Sequence, residues 1–165
     1  MGYRDILVVT DQGDSGVMRA RLGADLAARW DAHLSGAFPT SDFVRQFGAA
    51  EALTGLSPAD IDRILRDHAK AVEVASEIAR VNFETAAREA GVASDWLTVN
   101  GDSPDALVAC ARRTDLTIMP NRMLVYMGQR HLEAANVGMA CGGPVLITPH
   151  DDYAPPIGKR LLIAW

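Results

Sequence analysis

Apolar residues fall along this chain in two alternating rhythms. Ile6 to Val9 is an unbroken apolar run without polar alternation, the pattern of a strand buried on both faces of a parallel sheet. Asp11 to Gly16 turns the chain, and Val17, Leu22, Leu26 and Trp30 then recur at helical spacing. His33 to Phe38 predicts a second strand, weakened at Gly36. Residues 41 to 56 set Phe43, Phe47, Ala50 and Leu53 on one helical face interrupted by Gly48 and Gly55, and read as a partly helical insertion. Ser57-Pro58-Ala59-Asp60 is a helix start with an N-cap hydroxyl, a first-turn proline and a first-turn acid. That helix should run to about Ala90 and stop at Gly91, burying Ile61, Leu65, Val72, Ala75, Ala79, Phe83 and Ala86 as one stripe.

Trp96 to Val99 predicts a third strand, and Ser103-Pro104 opens a helix carrying Ala106, Leu107 and Cys110 inward. Leu116 to Met119 is strand four, followed by a loop, Pro120-Asn121-Arg122-Met123, and a helix ending near Gly142-Gly143. Pro144 to Thr148 is strand five. Strands alternating with helices imply an α/β domain over residues 1–150, with a parallel sheet, right-handed crossovers and helices on both faces. Ligands of such sheets bind beyond the carboxyl ends of the strands, so the 120–123 loop sits where a phosphate would be cradled. A cradle of backbone N–H groups favours glycine, and this loop has none and begins with a proline that cannot donate.

Asp151 to Gly158 reads as a linker, after which Lys159 to Trp165 repeats the pattern of Arg4 to Thr10. The expectation is a second repeat broken off after its first strand, or a strand that pairs with a partner.

Composition narrows the function classes. The chain of 165 residues is 48% apolar and 22% charged, ordinary for a globular domain, with a formal charge of -5 and no basic cluster, which argues against a nucleic-acid partner. The first residues lead into an apolar run too short for a signal peptide or a membrane span, so a cytoplasmic protein without membrane contact is expected. Cys110 and Cys141 lack the spacing of a metal site and read as reduced packing residues.

Several short strings imitate catalytic motifs. Gly13-Asp14-Ser15-Gly16 matches the surroundings of a serine-protease nucleophile, but no histidine precedes it and a βα turn explains it better. Gly101-Asp102-Ser103 lacks the esterase elbow, and His131-Leu132-Glu133 lacks the cysteine pair a zinc deaminase needs. Asp11, ending strand one, has the position of a receiver-domain phospho-acceptor, yet strand five ends without the lysine that would contact the phosphate.

Asp5-Ile-Leu-Val-Val-Thr-Asp11, Gly101-Asp-Ser-Pro-Asp-Ala-Leu-Val108, Thr114-Asp-Leu-Thr-Ile-Met119 and Gly143-Pro-Val-Leu-Ile-Thr-Pro149 together resemble the universal stress protein family, in family order across about 150 residues. The resemblance implies an open five-stranded parallel sheet of order 3-2-1-4-5, the adenine nucleotide alpha hydrolase-like fold, together with stress adaptation and dimer or tandem assembly. It also implies pairing through the strand-five edge, and because Leu161 to Trp165 is an apolar segment that would be an aggregation hazard unless paired, the expectation is a homodimer formed through that edge and the C-terminal strand.

Many members bind ATP through a G-x-x-G, nine residues, G-[ST] loop after strand four. Here the first glycines fall on Pro120 and Met123 and the later pair on His131-Leu132, and Gly128-Gln129 does not restore the spacing. The resemblance leaves Thr10, Asp11, Pro39, Met119, Asn121 and Gly128 as a vestigial or weak ATP site. Each lost hydrogen bond to a charged group removes roughly 1.5 to 3 kcal/mol. The expectation is a non-enzymatic domain with no cofactor, acting through dimerisation and partner binding. The alternative is an ATP-binding stress regulator that uses Asp11, Asn121 and the backbone from Gly128 in a rearranged loop; a slow ATPase would need that binding first.

Overall fold

The computed structural model describes residues 2–41, 55–101, 103–126 and 131–149. Its elements run β1 (Asp5–Val9), α1 (Asp14–Trp30), β2 (His33–Thr40), α2 (Pro58–Ala90), β3 (Ser94–Asn100), α3 (Asp105–Ala111), β4 (Leu116–Pro120), β5 (Arg122–Leu124), β6 (His131–Glu133), α4 (Ala134–Cys141) and β7 (Val145–Thr148). Five strands form one parallel sheet of order β3-β2-β1-β4-β7, which is the expected 3-2-1-4-5 order once the short ribbon β5–β6 is set aside. The insertion at 42–54, Asp102, Gly128 and the linker and strand expected over 151–165 lie outside the described residues.

The sheet is central because its inner strands are apolar on both faces. Ile6, Val8, Leu34 and Ile118 point to one side, packing with Leu22, Leu26 and Ala27 of α1 and Phe83 of α2. Leu7, Val9, Ala37 and Met119 point to the other, against Leu107 and Val108 of α3 and Val137 of α4. The two helical layers therefore bury opposite sides of the same strands. Asp115 fastens the amino end of the sheet: its Oδ2 accepts the Arg4 N–H at 2.7 Å and the Asp5 N–H at 3.2 Å. Those two bonds, the Arg4 amide first, hold its carboxyl below the usual carboxylate range.

The borders of α2 follow its sequence signals. Ser57 Oγ accepts the Asp60 N–H at 3.2 Å, Pro58 occupies the first turn, and Gly91 closes the helix in the left-handed region. Burial of its stripe is confined to the second half. Ala75, Ala79, Phe83 and Ala86 are core, whereas Ile61, Leu65 and Val72, expected there too, are only half-buried.

The chain after strand four departs from expectation. Pro120 is the last residue of β4 rather than the first of a loop, and Arg122–Leu124 is a strand, antiparallel to His131–Glu133 with Met123 opposite Leu132. The reason is a period-two alternation too short to stand out in the sequence: Met123 and Val125 are buried while Arg122 and Leu124 face solvent.

Candidate functional site

In a sheet of this order the crevice for a ligand opens beyond the carboxyl ends of β1 and β4, where the chain leaves the two strands in opposite directions. The chain's own segment 122–126 lies across that place. β1 pairs with β2 only as far as Val9 opposite Ala37, and Thr10 N–H then donates to the Ala37 carbonyl at 2.9 Å. From there Tyr126 takes over as neighbour of β2, its N–H donating to the Pro39 carbonyl at 3.2 Å and its carbonyl accepting from Ser41 N–H at 3.1 Å. A segment that leaves β4 and pairs with β2 has crossed the end of β1 between them.

Pro39 suits this arrangement because its missing donor points to the side where β1 has already ended. The crossing is sealed by side chains. Val125 is fully buried and Met123 is 5% exposed, both in the cluster that holds Leu7, Val9 and Met119. Gly101, directly after β3, leaves room for Val125: a Cβ there would lie 2.7 and 2.8 Å from its two methyl carbons and 3.2 Å from Pro39 Cβ. Tyr126 packs on Phe38 with ring centroids 5.6 Å apart, and its hydroxyl donates to the Ala71 carbonyl of α2 at 3.3 Å.

The polar residues expected at the site are engaged in holding the βα turn. Thr10 is buried, and its hydroxyl donates to the Gly16 carbonyl at 3.0 Å. Asp11 Oδ1 accepts the Gly13 N–H at 2.8 Å, while Oδ2 is paired with Arg19. Gly16 is required by this turn, since a Cβ would drive into the Asp11 backbone. That requirement accounts for the protease-like string without any chemistry. Arg19, absent from the sequence expectation, is fully buried on α1 and also donates from Nε to the Val9 carbonyl at 3.0 Å. Its place three residues before Leu22 and seven before Leu26, on the buried stripe of the helix, is the signal that could have found it.

Thr10, Asp11 and Pro39 thus meet at the ends of β1 and β2. Met119 is buried in the core, and Asn121 is exposed, with its carbonyl accepting from Ala134 N–H at 2.9 Å to start α4. Two buried hydroxyls at the carboxyl ends of the strands, Thr40 Oγ1 of β2 and Thr148 Oγ1 of β7, have no hydrogen-bond partner among the described residues. Among the described residues no group of three potential metal ligands occurs. Cys110 and Cys141 are free thiols, and burial pushes the Cys110 thiol up, away from the reactive thiolate. No helix of the described residues is long and apolar enough to cross a membrane.

Solved structures share this architecture. UspA from Lactobacillus plantarum aligns with a TM-score of 0.60 at 17% identity, covering 89% of this chain and 98% of that one. The fold is that of the universal stress proteins. A universal stress protein in complex with cAMP aligns with a TM-score of 0.53 at 24% identity, over 89% of this chain and 97% of its own. A universal stress protein family protein from Arabidopsis thaliana with AMP bound aligns at 0.52 and 14%, over 90% and 92%. No protein-family model matches the chain, and no curated protein matches it.

Proposed function

We propose that the chain is a universal stress protein domain in stress adaptation that binds no nucleotide at its switch point, performs no reaction of its own, and acts by associating with itself and other proteins. One observation carries this reading: the crevice beyond β1 and β4 is filled by Met123, Val125 and Tyr126, with Gly101 shaped to receive Val125. A nucleotide there would have to displace a fully buried valine and two backbone hydrogen bonds to β2. It would also meet an aspartate already neutralised by Arg19. Self-association is assigned to the edge strand β7, which among the described residues pairs only with β4 and carries Ile147 48% exposed.

The second reading, a nucleotide-binding regulator with a rearranged loop, is favoured by the unpartnered hydroxyls of Thr40 and Thr148 and by the cAMP and AMP bound in two proteins of this fold. Calorimetric titration with ATP, AMP and cAMP separates the two. The closed-crevice reading expects no saturable heat with any of them, and saturation near one nucleotide per chain would replace it with the second reading.

A further inference from the structure

Between α2 and the outer two strands of the sheet the fold leaves a cleft of about 500 Å³, a volume within the range of small-molecule sites. It accounts for Val72, which keeps the core-facing period of α2 and is only half-buried, because Val72 and Ala69 line this cleft. The floor is made by the sheet. Thr40 at the end of β2, and Trp96 and Thr98 of β3, share the face that α2 covers.

Trp96 is braced on its inner side. Its ring centroid lies 5.6 Å from that of Phe83 and 6.4 Å from that of Phe38, and Gly36 gives it room, since a Cβ there would come 2.6 Å from Trp96 Cε3. A half-buried indole held in this way gives the cleft a fixed apolar wall. The polar groups are few. The hydroxyls of Ser76 and Thr98 meet at 3.3 Å between helix and strand, and the buried Thr40 Oγ1 has no partner among the described residues.

Charge decides the class of ligand. Arg80 at one end of the cleft is held by Glu77 at 2.6 Å and Glu84 at 2.9 Å, so the cation is matched within the chain and an anionic ligand finds no free positive charge in it. Glu73, one helical turn before Glu77, lines the cleft and makes no ion pair among the described residues. A free carboxylate beside an aromatic and aliphatic wall attracts a cation with an apolar body, and the ring adds its own attraction for positive charge.

We propose that this cleft binds a small organic ammonium ion, its N–H groups donating to the Glu73 carboxylate and its apolar body lying against Trp96 and Val72. The site stands at β2 and β3, apart from the crevice beyond β1 and β4, and it holds whether or not a nucleotide binds there.

Phenethylammonium, 2-phenylethanol and 3-phenylpropionate test it, as cationic, neutral and anionic forms of nearly one body. Calorimetric titration of the full chain with phenethylammonium should saturate with a Kd below about 1 mM, the alcohol should bind at least about tenfold more weakly, and the carboxylate should give no saturable heat. Glu73→Gln changes an exposed side chain, so it should weaken the ammonium at least about tenfold and leave the melting temperature unchanged. Tryptophan fluorescence should respond to the ammonium in the native chain and not in Trp96→Phe. No saturation with phenethylammonium overturns the proposal, as does equal binding of the alcohol or the carboxylate. Unaltered affinity in Glu73→Gln, or a fluorescence response kept in Trp96→Phe, places the ammonium elsewhere and refutes this site.

Discussion

The contact between Gly101 and Val125 allows the crossing of the strand ends to be tested without any ligand. Val125→Ala removes two methyl groups from a fully buried site. At roughly 0.8 kcal/mol for each buried carbon the transfer loss is about 1.6 kcal/mol, and the cavity left behind raises the cost to about 2 to 3 kcal/mol. Gly101→Ala acts in the opposite sense. The new Cβ, 2.7 and 2.8 Å from the valine methyl carbons, overpacks the same space, at a cost of about 1 to 3 kcal/mol. In the double variant those methyl carbons are gone and the closest remaining neighbour, Pro39 Cβ at 3.2 Å, needs to give only slightly. The alanine at 101 then partly fills what valine vacated. Urea unfolding of the four proteins should show the double variant at least about 1 kcal/mol more stable than the sum of the single losses. Losses that add to within about 0.5 kcal/mol would refute the contact, and with it the crossing of segment 122–126 over the end of β1.

Further outcomes follow from the polar contacts. Arg19→Ala leaves Asp11 without its buried partner and the Val9 carbonyl without its donor, so it should cost about 3 kcal/mol in denaturant unfolding; a loss below about 0.5 kcal/mol would contradict the pairing. Asp115→Asn should lower the melting temperature at neutral pH. The depressed carboxyl contributes stability above the unfolded carboxylate value of about 3.9, and loses it as the pH falls through the folded value. The gap in melting temperature between the two proteins should therefore close toward pH of about 2, and a gap that widens on acidification would contradict the assignment.

The sheet was legible where burial is two-sided and continuous. Ile6 to Val9 and Leu116 to Met119 read as inner strands because both faces are covered, and Ser57-Pro58 and Gly91 bounded α2 through local capping chemistry. The first half of α2 was overread, since Ile61, Leu65 and Val72 keep the helical period and yet are only half-buried. Segment 122–126 was misread for the reverse reason. A strand of three residues gives too little periodicity to register; it pairs with His131–Glu133 on one side, and Tyr126 bonds to β2, a partner remote in sequence. The loss of glycine after strand four was visible in Pro120 and Met123. That Val125 occupies the vacated ground was not, because the complementary residue, Gly101, lies just after β3, remote in the chain.

The central claim is that the switch point is closed by the chain itself, and the most direct measurement is what the purified protein carries. Heat-denaturing the native protein and chromatographing the supernatant should release no adenine nucleotide; one nucleotide released per chain would show the crevice open and contradict the account.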